Sequence, residues 1–591
     1  MRNSPKPSVG RVAKGVRGIN KMTIEHKIRN LIRKAITEFK LEEFSNSFDV
    51  THPKYLDFGD YSTNLLIIMG PVSVDEEKFI AYLNKHKPKE IEKIDSKARF
   101  INFHLSRKFF SGSIEEILNN KDFGNNDSLK DQKIMVEYTD PNPFKPFHIG
   151  HLMTNAIGES IARILYHSGA NVSRANYQGD VGLHVAKAFY GMEKKGMPEH
   201  MDAPVAVLAD YIGESYALGS DAYDNDPEAK AKIDIFNKKI YDKSDPEVNQ
   251  VYDWGFKVTM EAFENIYKTL GTKFDFYFLE SDAAPIGEKI VRENIGKVFE
   301  ISEDAVVFKA EEHDKKLHTR VFITRAGLPT YEAKELGLTT EKFTALPSMN
   351  LSIVITANEQ ADYMRVVEKA ISLIYPDLQK KMLHLTHGML RFAEGKMSSR
   401  KGNIVTGESL IRDTIALISE KMKEREWDGE IKNKVAEQVG VSAIKYSILR
   451  SKAGSDIIYN VEESISTEGD SGPYLQYSYA RAHSVLEKAQ KENILPDPHT
   501  AAKEISDVTE VEKLLYRFPE VVHRSAQLYE PHHIATYLVE LARAFNSFYG
   551  NNMIVSKEDE HSSYKVALTY AFSFIMKKGL HLLGIEAPEK M

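Results

Sequence analysis

Residues 134–177 read IMVEYTDPNPFKPFHIGHLMTNAIGESIARILYHSGANVSRANY, and the organisation of the whole chain is built around them. The apolar run 134–136 is typical of a buried strand, and Asn171 to Tyr177 predicts a second one. Between the two strands, apolar residues recur at helical spacing from about His151 to His167. Strand, helix and strand in this order form a βαβ unit, which predicts a parallel sheet of the nucleotide-binding (Rossmann) type.

The rest of the chain divides around this unit. A length of 591 residues is too great for one core and predicts several domains. An amphipathic helix opens the first unit, and a break rich in Gly, Asp and Asn closes it at 123–127. We expect a flexible basic tail over 1–22, an N-terminal α/β add-on domain over 23–125, a Rossmann-type catalytic domain over 130–405 with a helical insertion at about 195–300, and an all-α domain over 406–591.

Composition excludes several classes of protein. The chain has no cysteine, which excludes a disulfide scaffold, a thiolate metal site, an iron–sulfur cluster and a cysteine nucleophile. No apolar run approaches the roughly 20 residues needed to cross a bilayer. We therefore expect a soluble protein of a reducing compartment, by default the cytoplasm.

The charge balance gives no overall nucleic-acid signature. The net charge is −7, so binding of nucleic acid would need a local basic surface. Residues 1–22 are the exception, with 6 basic residues and no acid. Proline and glycine in this segment oppose the amphipathic helix of a mitochondrial targeting peptide. We predict a flexible tail, and contact with RNA and no role at all both stay open.

Two histidines flank a glycine where the central helix begins, in the run PFHIGH at 146–151. The N–H groups and the dipole of a helix start attract an anion, and glycine permits close approach of the backbone, so this run suits a phosphate. The alternative is a chance match in which the histidines only cap the helix. The position after a strand and a Pro-rich turn favours a nucleotide site.

A second run, GKMSSRKGN at 395–403, carries 3 cations and 2 hydroxyl groups between glycines. Such a loop suits a triphosphate whose oxygens gain negative charge as bonds break. Taken alone, the run is more typical of a solvated basic loop.

Together, the two runs resemble the paired signature of class I aminoacyl-tRNA synthetases, in which His-Ile-Gly-His is followed about 250 residues later by Lys-Met-Ser. Within that class the chain resembles the arginyl-tRNA synthetases, from about residue 23 to its end. The segments that carry this narrower resemblance are FGDYSTN (58–64), FINFHL (100–105), VEYTDPN (136–142), RANYQGDVG (174–182), SGPYLQY (471–477), AFNSFY (544–549) and LLGIEAPEKM (582–591).

The resemblance implies ATP-dependent activation of L-arginine to arginyl-adenylate, then transfer of the arginyl group to the 3′-terminal adenosine of tRNA(Arg). It implies Mg²⁺ held by the nucleotide, no metal held by the protein, and a monomer. The histidines would stabilise charge at the α-phosphate and the loop cations would hold the departing pyrophosphate. Catalytic roles fall on His148, His151, Lys396, Arg400 and Lys401, and further ATP contacts on Gly150, Met389, Ser398 and Ser399.

Recognition of arginine requires a carboxylate that faces the planar guanidinium, because a bidentate pair distinguishes it from lysine. The family's arginine-contacting positions match Glu137, Asp140, Asn142, His148, Tyr331, Glu335, Glu359 and Gln360. Two alternatives stay open. The first is that Glu137 is an ordinary strand carboxylate. The second is that Tyr331 and Glu335, four residues apart, only share a solvated helix face.

The chain departs from the family's usual pattern at several of these positions. Glu335 stands where Asp is usual, which adds a methylene to the pocket. Asp140 replaces a hydroxyl and is expected to meet the substrate ammonium. Gly182 stands where Trp is more usual. The second lysine of the Lys-Met-Ser motif is missing, so Arg400 or Lys401 must supply its charge.

The C-terminal helices resemble DALR-type anticodon-binding helices. Their aromatic, amide and guanidinium groups suit splayed single-stranded bases. For any one of the aromatic residues the alternative is burial in the core, which we expect for Phe545 and Phe548. The tRNA-binding candidates are Asn64, Asn102, Tyr474, Gln476, Tyr477, Arg481, Asn546 and Tyr549.

Three other hypotheses remain. A class I synthetase for lysine is harder to exclude by charge than one for glutamate, which the carboxylates of Glu137 and Glu335 would repel. If the chain were a small-molecule nucleotidyltransferase, its roughly 180 C-terminal residues would have no function in that reaction. An inactive paralogue that only binds RNA is disfavoured by the intact pair of histidines.

Overall fold

The computed structural model describes residues 23–70, 74–393, 405–499 and 507–591. An N-terminal α/β domain, a central domain built on a parallel sheet and a C-terminal helical domain follow one another along the chain. Within the described ranges, no helix combines the length and the apolar character that a membrane span requires.

The N-terminal domain packs helices on an antiparallel sheet of four strands in the order β1-β2-β4-β3. Thr23 caps its first helix, in which Ile28, Leu31, Ile32 and Ile36 are all buried, as their helical spacing predicts. His52 reaches the C-terminal domain, with its Nε2 2.9 Å from the Glu520 carboxylate. The elements are α1 (Ile24–Glu38), β1 (Val50–Thr51), β2 (Tyr61–Thr63), α2 (Leu65–Ile68), α3 (Glu76–His86), β3 (Ile91–Lys97), β4 (Phe100–Leu105) and α4 (Arg107–Asn119).

The central domain holds a sheet of five parallel strands in the order β12-β11-β5-β6-β7. Val136 on the middle strand pairs with Arg174 on one side and with Ile353 on the other, and it is fully buried. This confirms the predicted βαβ unit, whose strands and helix are β5 (Lys133–Glu137), α5 (Ile149–His167) and β6 (Asn171–Gln178). The other strands of the sheet are β7 (Phe276–Leu279), β11 (Leu351–Ala357) and β12 (Met382–His387).

Three long helices follow α6 (Leu183–Lys195), namely α7 (Val205–Asn225), α8 (Pro227–Asp242) and α9 (Pro246–Thr269). They form a core that includes Phe144, from the connection that precedes the histidine motif. The predicted helical insertion at 195–300 therefore ends too late. The aromatic run at 276–279 is a strand of the parallel sheet, because aromatic residues pack well on a pleated surface, and α10 (Glu280–Glu293) follows it.

A three-stranded antiparallel sheet, consisting of β8 (Glu300–Ser302), β9 (Ala305–Phe308) and β10 (Arg320–Ile323), leads into α11 (Tyr331–Ala345). A Cβ built on Gly287 would lie 1.8 Å from the carbonyl oxygen of Ala333, and one on Gly337 would lie 2.0 Å from that of Ala283. Only glycine permits so close a crossing of α10 and α11. The domain is completed by α12 (Ala361–Ile374), α13 (Pro376–Gln379) and β13 (Leu390–Phe392).

The C-terminal domain is helical, as expected, apart from one short strand. Leu390 of β13 pairs in parallel with Ile457 of that strand, which joins the central domain to the helices. Phe545 is fully buried and Phe548 is partly buried. The elements are α14 (Gly407–Lys421), α15 (Gly429–Leu449), β14 (Ile457–Tyr459), α16 (Val461–Ser464), α17 (Gly472–Lys491), α18 (Glu510–Leu515), α19 (Phe518–Leu528), α20 (His532–Asn551) and α21 (Ser562–Leu582).

Candidate active site

Most of the central-domain candidates gather at the carboxyl ends of three parallel strands. Glu137 ends β5, Gln178 ends β6, and β11 runs directly into the turn with Glu359 and Gln360, both exposed. In the sheet, β6 lies on one side of β5 and β11 lies on the other, so the strand order reverses direction at β5. Open parallel sheets bind ligands at such a switch point.

His148 and His151 cap helix α5 reciprocally. The backbone N–H of His151 donates to Nδ1 of His148 at 3.3 Å, and the backbone N–H of His148 donates to Nδ1 of His151 at 3.2 Å. The rings stack with their centroids 3.3 Å apart. A Cβ built on Gly150 would lie 2.9 Å from Cε1 of His148, so glycine leaves space for that ring.

This capping arrangement fixes the tautomer of both rings. Because each Nδ1 accepts a hydrogen bond, the proton of each neutral imidazole lies on Nε2. Loss of hydration and the nearby Lys145 ammonium lower the pKa of His148 to about 4. Burial, and then the neighbouring His148, lower the pKa of His151 well below its usual value. At neutral pH the helix start therefore presents two neutral N–H donors where an anion is favoured.

Four carboxylates interact electrostatically beside these strand ends and border what we call the pocket: Glu137, Asp140, Glu280 and Glu335. Two buried lysines neutralise two of them. Nζ of Lys342 lies 2.9 Å from Glu137, with both side chains almost fully buried. Nζ of Lys334 lies 2.7 Å from the buried Glu280 and 3.2 Å from the Tyr241 hydroxyl. A buried carboxylate with such a partner is satisfied before any ligand arrives.

Asp140 and Glu335 have no such cationic partner among the described ion pairs. Asp140 accepts a hydrogen bond from the backbone N–H of Tyr177 at 2.7 Å, and the Tyr363 hydroxyl favours the ionised form of Glu335. Burial, and then the charge of Glu137, raise the pKa of Asp140 well above its usual range. The same two causes raise the pKa of Glu335 to about 7. These two carboxyl groups are electrostatically unsatisfied.

The remaining arginine-side candidates lie at the rim of this pocket. Oδ1 of Asn142 accepts from the backbone N–H of Gly179 at 3.1 Å, and a Cβ on that glycine would clash with it at 2.4 Å. Tyr331 begins α11 with 64% of its surface exposed, and the Lys334 ammonium lies 5.1 Å from the centre of its ring. Asn142 and Tyr331 thus lie next to the ion pair of Lys334 and Glu280.

The basic loop predicted to bind phosphate lies outside the described residues, and with it Lys396, Ser398, Ser399, Arg400 and Lys401. The residues that follow the loop in the chain contact the backbone beside the histidine motif. The N–H of Gly407 donates to the carbonyl of Phe147 at 2.8 Å, directly before His148. On the other side of the loop, half-exposed Met389 donates its N–H to Asp456 at 2.9 Å.

Five of the tRNA candidates form one cluster between α17 and α20. The Arg481 guanidinium lies 4.8 Å from the centre of the Tyr477 ring and 5.0 Å from that of Tyr549, and it donates to Asn546 at 2.5 Å. Asn546 in turn donates to the Tyr474 hydroxyl at 3.1 Å. We call these five residues the Arg481 cluster. Part of each side chain reaches the surface.

The other three tRNA candidates lie elsewhere. Gln476 is fully buried and donates to the carbonyl of Glu586 at 2.7 Å, and Asn102 is 3% exposed and accepts from Ser62 at 2.9 Å. These two side chains hold the fold and have no surface to offer tRNA, which corrects their assignment. Asn64 is partly exposed and accepts from the N–H of Asp49 at 3.0 Å.

Sequence reasoning missed several groups that shape the pocket. Along α11, Tyr331, Lys334, Glu335 and Lys342 follow helical spacing, so one polar stripe faces the sheet. That spacing was a signal for both lysines. Their partners, and the contact of Tyr363 with Glu335, depend on tertiary structure and left no local pattern. Also missed was His184, whose Nε2 lies 2.7 Å from the carbonyl oxygen of Gly179.

A group able to hold a metal ion occurs away from this pocket. Among the described residues, Glu530, His532 and His533 bring ligand atoms within 4.8 Å of one another, at the turn between α19 and α20. Within the same residues, no such group occurs at the histidine motif, where imidazole and ammonium groups predominate.

Comparison with known proteins agrees with this geometry. Residues 113–461, more than half of the chain, match the family model described as tRNA synthetases class I (R), catalytic domain. Residues 475–591 match the DALR anticodon binding domain. The first match contains the strand switch point and the histidine motif, and the second contains four residues of the Arg481 cluster and begins directly after the fifth, Tyr474.

Individual relatives cover nearly the whole chain. The arginine–tRNA ligase of Clostridium perfringens is 30% identical over 505 residues, which are 85% of this chain and 88% of that one. That of Halothermothrix orenii is 26% identical over 582 residues, 96% of this chain and 99% of that one. The arginyl-tRNA synthetase structure from Thermus thermophilus shares the fold with a TM-score of 0.77 at 22% identity, covering 96% of this chain and 100% of that one. The chain belongs to the arginyl-tRNA synthetases, the arginine–tRNA ligases of class I.

Proposed function

We propose that Asp140 and Glu335 bind the two positive charges of L-arginine, and that the other two carboxylates of the pocket do not bind substrate. The observation that carries this assignment is the unequal pairing of the carboxylates. Glu137 and Glu280 each have a buried lysine within 2.9 Å. Asp140 and Glu335 have none among the described ion pairs, and their pKa values are raised.

The charge of the substrate complements this difference. Arginine brings a guanidinium and an α-ammonium group, and each favours the ionised form of a carboxylate beside it. Glu335, on the face of α11 beside Tyr363, is assigned to the guanidinium. Asp140, near the histidine motif in the chain, is assigned to the α-ammonium, with Asn142 beside it. The substrate carboxylate then faces the helix start, where ATP is bound.

His148 and His151 are assigned to the phosphates of ATP. Attack of the arginine carboxylate on the α-phosphorus adds negative charge to a crowded centre. Neutral Nε2–H donors at a helix start stabilise that charge without needing to lose a proton. We assign Lys396, Arg400 and Lys401 to the departing pyrophosphate, which is supported by the contact of Gly407 with the backbone next to His148.

Mg²⁺ enters this account only as part of the nucleotide. The described groups around His148 are imidazoles and the Lys145 ammonium, which are not the oxygen ligands that Mg²⁺ prefers. No step is assigned to the ion. We also propose that the protein acts as a monomer in the cytoplasm.

The Arg481 cluster is assigned to anticodon bases. Its two tyrosine rings flank one guanidinium, and aromatic faces stack on bases of any identity. The match of this region to an anticodon binding domain supports the assignment. The partly exposed Asn64 stays a candidate in the N-terminal domain.

Competitive inhibition by 5-guanidinopentanoate, which is arginine without its α-amino group, tests the pocket assignment. Glu335→Gln should weaken the binding of arginine and of the inhibitor equally, by about tenfold or more, because both molecules carry the guanidinium. Asp140→Asn should weaken the binding of arginine alone, because the inhibitor has no α-amino group. If Asp140→Asn weakens both equally, or if Glu335→Gln weakens neither, the assignment is wrong.

Lysine provides the second arm of this test. A lysine-specific enzyme would bind lysine in the same pocket, since lysine also carries two positive charges. We expect charging of tRNA with arginine and none with lysine, because a planar guanidinium pairs with a carboxylate in a bidentate geometry that an ammonium group cannot reproduce.

A further inference from the structure

The arginine pocket contains a strained stretch of backbone. Thr139 and Asp140 both lie in the left-handed region, with φ of 81° and 49°. This region is unfavourable for residues other than glycine, and more so for a β-branched threonine. Two such residues in succession keep this conformation only where the surroundings hold them. The strain falls on Asp140, the residue assigned to the α-ammonium of arginine.

Hydrogen bonds fix both sides of this stretch. Nδ2 of Asn155 donates to the Thr139 hydroxyl at 3.0 Å, and Nδ2 of Asn176 donates to the carbonyl of Tyr138 at 3.4 Å. The Asp140 carboxylate accepts from the N–H of Tyr177 at 2.7 Å. The backbone that leads into the strained stretch is therefore tied to α5 and β6.

Tyr138 supplies the deepest of these attachments. The residue is fully buried, and its hydroxyl donates to Glu159 at 2.5 Å. Its ring lies against Gly158, where a Cβ would come within 2.2 Å of Cγ, and against Phe274 at 4.9 Å between ring centres. The tyrosine thus has one position for its ring and one partner for its hydroxyl.

The partner carboxylate is itself fixed. Glu159 accepts from Nε of Arg163 at 2.7 Å and from Nε of Arg174 at 3.0 Å, and it is 3% exposed. Arg163 also donates to the carbonyl of Gly271 at 2.8 Å and to that of His581 at 3.0 Å. The attachment of Tyr138 therefore extends through one buried carboxylate to the last turn of α21 in the helical domain.

We propose that Tyr138 is a positioning residue for L-arginine: its hydroxyl, held by Glu159 and Arg163, keeps Asp140 in the strained conformation that binds the substrate. Tyr138 makes no contact with the substrate in this scheme. The proposal deepens the function proposed above, because it rests on the assignment of Asp140 to the α-ammonium.

Tyr138→Phe isolates the hydroxyl. The ring and its packing are conserved, and Glu159 keeps both arginines, so the buried carboxylate is not left without a partner. Without the hydroxyl, the strained stretch loses its attachment to Glu159 and keeps only the hydrogen bonds from Asn155, Asn176 and Tyr177. We expect the KM for arginine in aminoacylation to rise about tenfold, with the KM values for ATP and tRNA within twofold of the unaltered protein.

Tyr446→Phe is the matched control. Tyr446 is also a buried tyrosine whose hydroxyl donates to a carboxylate, that of Asp470, but it lies on α15 away from the strained stretch. A merely structural role of Tyr138 would lower the thermal midpoint and the active fraction in both variants and leave the KM for arginine unchanged in both. Positioning predicts the rise in KM for Tyr138→Phe alone.

A second variant tests the proposed path. Arg163→Lys keeps the positive charge beside Glu159 and removes the fork that reaches Gly271 and His581. The KM for arginine should rise here too, although Arg163 lies on the far side of Glu159 from the substrate. If the KM for arginine stays within twofold in Tyr138→Phe, the positioning proposal is overturned.

Asp140→Asn separates this proposal from the one on which it rests. If that variant leaves the KM for arginine unchanged while Tyr138→Phe raises it, the assignment of Asp140 is wrong and Tyr138 positions another group of the same stretch. If Asp140→Asn raises the KM and Tyr138→Phe does not, only the positioning proposal is overturned.

Discussion

The arginine pocket and the Arg481 cluster satisfy their charges in different ways. The pocket brings together four carboxylates and two lysines, so two carboxylates lack a cationic partner among the described ion pairs. The Arg481 cluster holds one guanidinium that already has an amide oxygen and two aromatic rings as partners. The pocket leaves two carboxyl groups without a cation, whereas the guanidinium of the cluster already has hydrogen-bond and cation–π partners within the cluster.

This difference indicates how each region recognises its ligand. Uncompensated buried charge is costly, and a ligand of opposite charge removes that cost, so we expect the proposed pocket to select a cationic amino acid. The satisfied cluster offers rigid aromatic faces, which favour stacking and discriminate less by charge. Substitutions in the two regions should therefore differ in the size and kind of their effects.

The largest expected effect concerns the paired carboxylates. Glu137→Gln removes the carboxylate that pairs with the buried Lys342 ammonium, which should destabilise the central domain by about 3–5 kcal/mol. Glu335→Gln should cost far less, because that group already has a pKa of about 7 and has no lysine partner among the described ion pairs. Thermal unfolding of the two variants measures the contrast. Equal losses of stability would contradict the distinction between paired and unpaired carboxylates.

The histidine motif should give the next largest effect. His151→Ala removes one donor to the charge that develops on the α-phosphate, and kcat/KM should fall about 10²–10³-fold, which is about 3–4 kcal/mol. His167→Ala is a suitable control, since it lies at the other end of the same helix. Aminoacylation kinetics measure both variants. Unchanged kcat/KM in His151→Ala would remove this residue from the mechanism.

A pH dependence of arginine binding follows from Glu335. Burial, and then the charge of Glu137, raise its pKa to about 7 in the free protein, while a bound guanidinium lowers that pKa again. Arginine binding therefore releases a proton below pH 7, so affinity rises with pH up to about 7 and is flat above it. The KM for arginine should fall about tenfold between pH 6 and pH 8. Glu335→Gln should flatten the slope, and any slope that remains belongs to Asp140, whose pKa is also raised. An identical slope in the variant would show that Glu335 does not contribute.

The smallest expected effect concerns the Arg481 cluster. Arg481→Ala frees the Tyr477 and Tyr549 rings without removing either, so the KM for tRNA should rise only about three- to fivefold, or roughly 1 kcal/mol. The KM for arginine should stay unchanged. Lys488→Ala, on the same helix, removes an equal charge at an exposed position. An equal effect of the two variants would show that only net charge matters there.

Sequence alone predicted the βαβ unit, the parallel sheet and the position of the histidine motif, because hydrophobic periodicity and a local motif carry that information. It overextended the helical insertion, since the charged composition of the helices concealed β7. It also named Gln476 among the anticodon residues. On α17 this residue lies on the face opposite to Arg481, where it donates to the carbonyl of Glu586 in the C-terminal segment.

The pairing of charges was beyond sequence reasoning. Glu137 and Lys342 are separated by 205 positions, and only the crossing of α11 over β5 brings them together. The spacing of Tyr331 and Glu335 on one helix face was visible in the sequence. Which of the carboxylates remains available to a substrate depends on the tertiary position of two lysines that no motif contains.

The attachment of arginine to tRNA by this chain can be measured directly. Purified protein should be incubated with ATP, Mg²⁺, unfractionated tRNA and each labelled amino acid in turn, and acid-precipitable aminoacyl-tRNA should be counted. We expect charging with arginine and with no other amino acid. Charging with lysine, or no charging with any amino acid, would contradict this expectation.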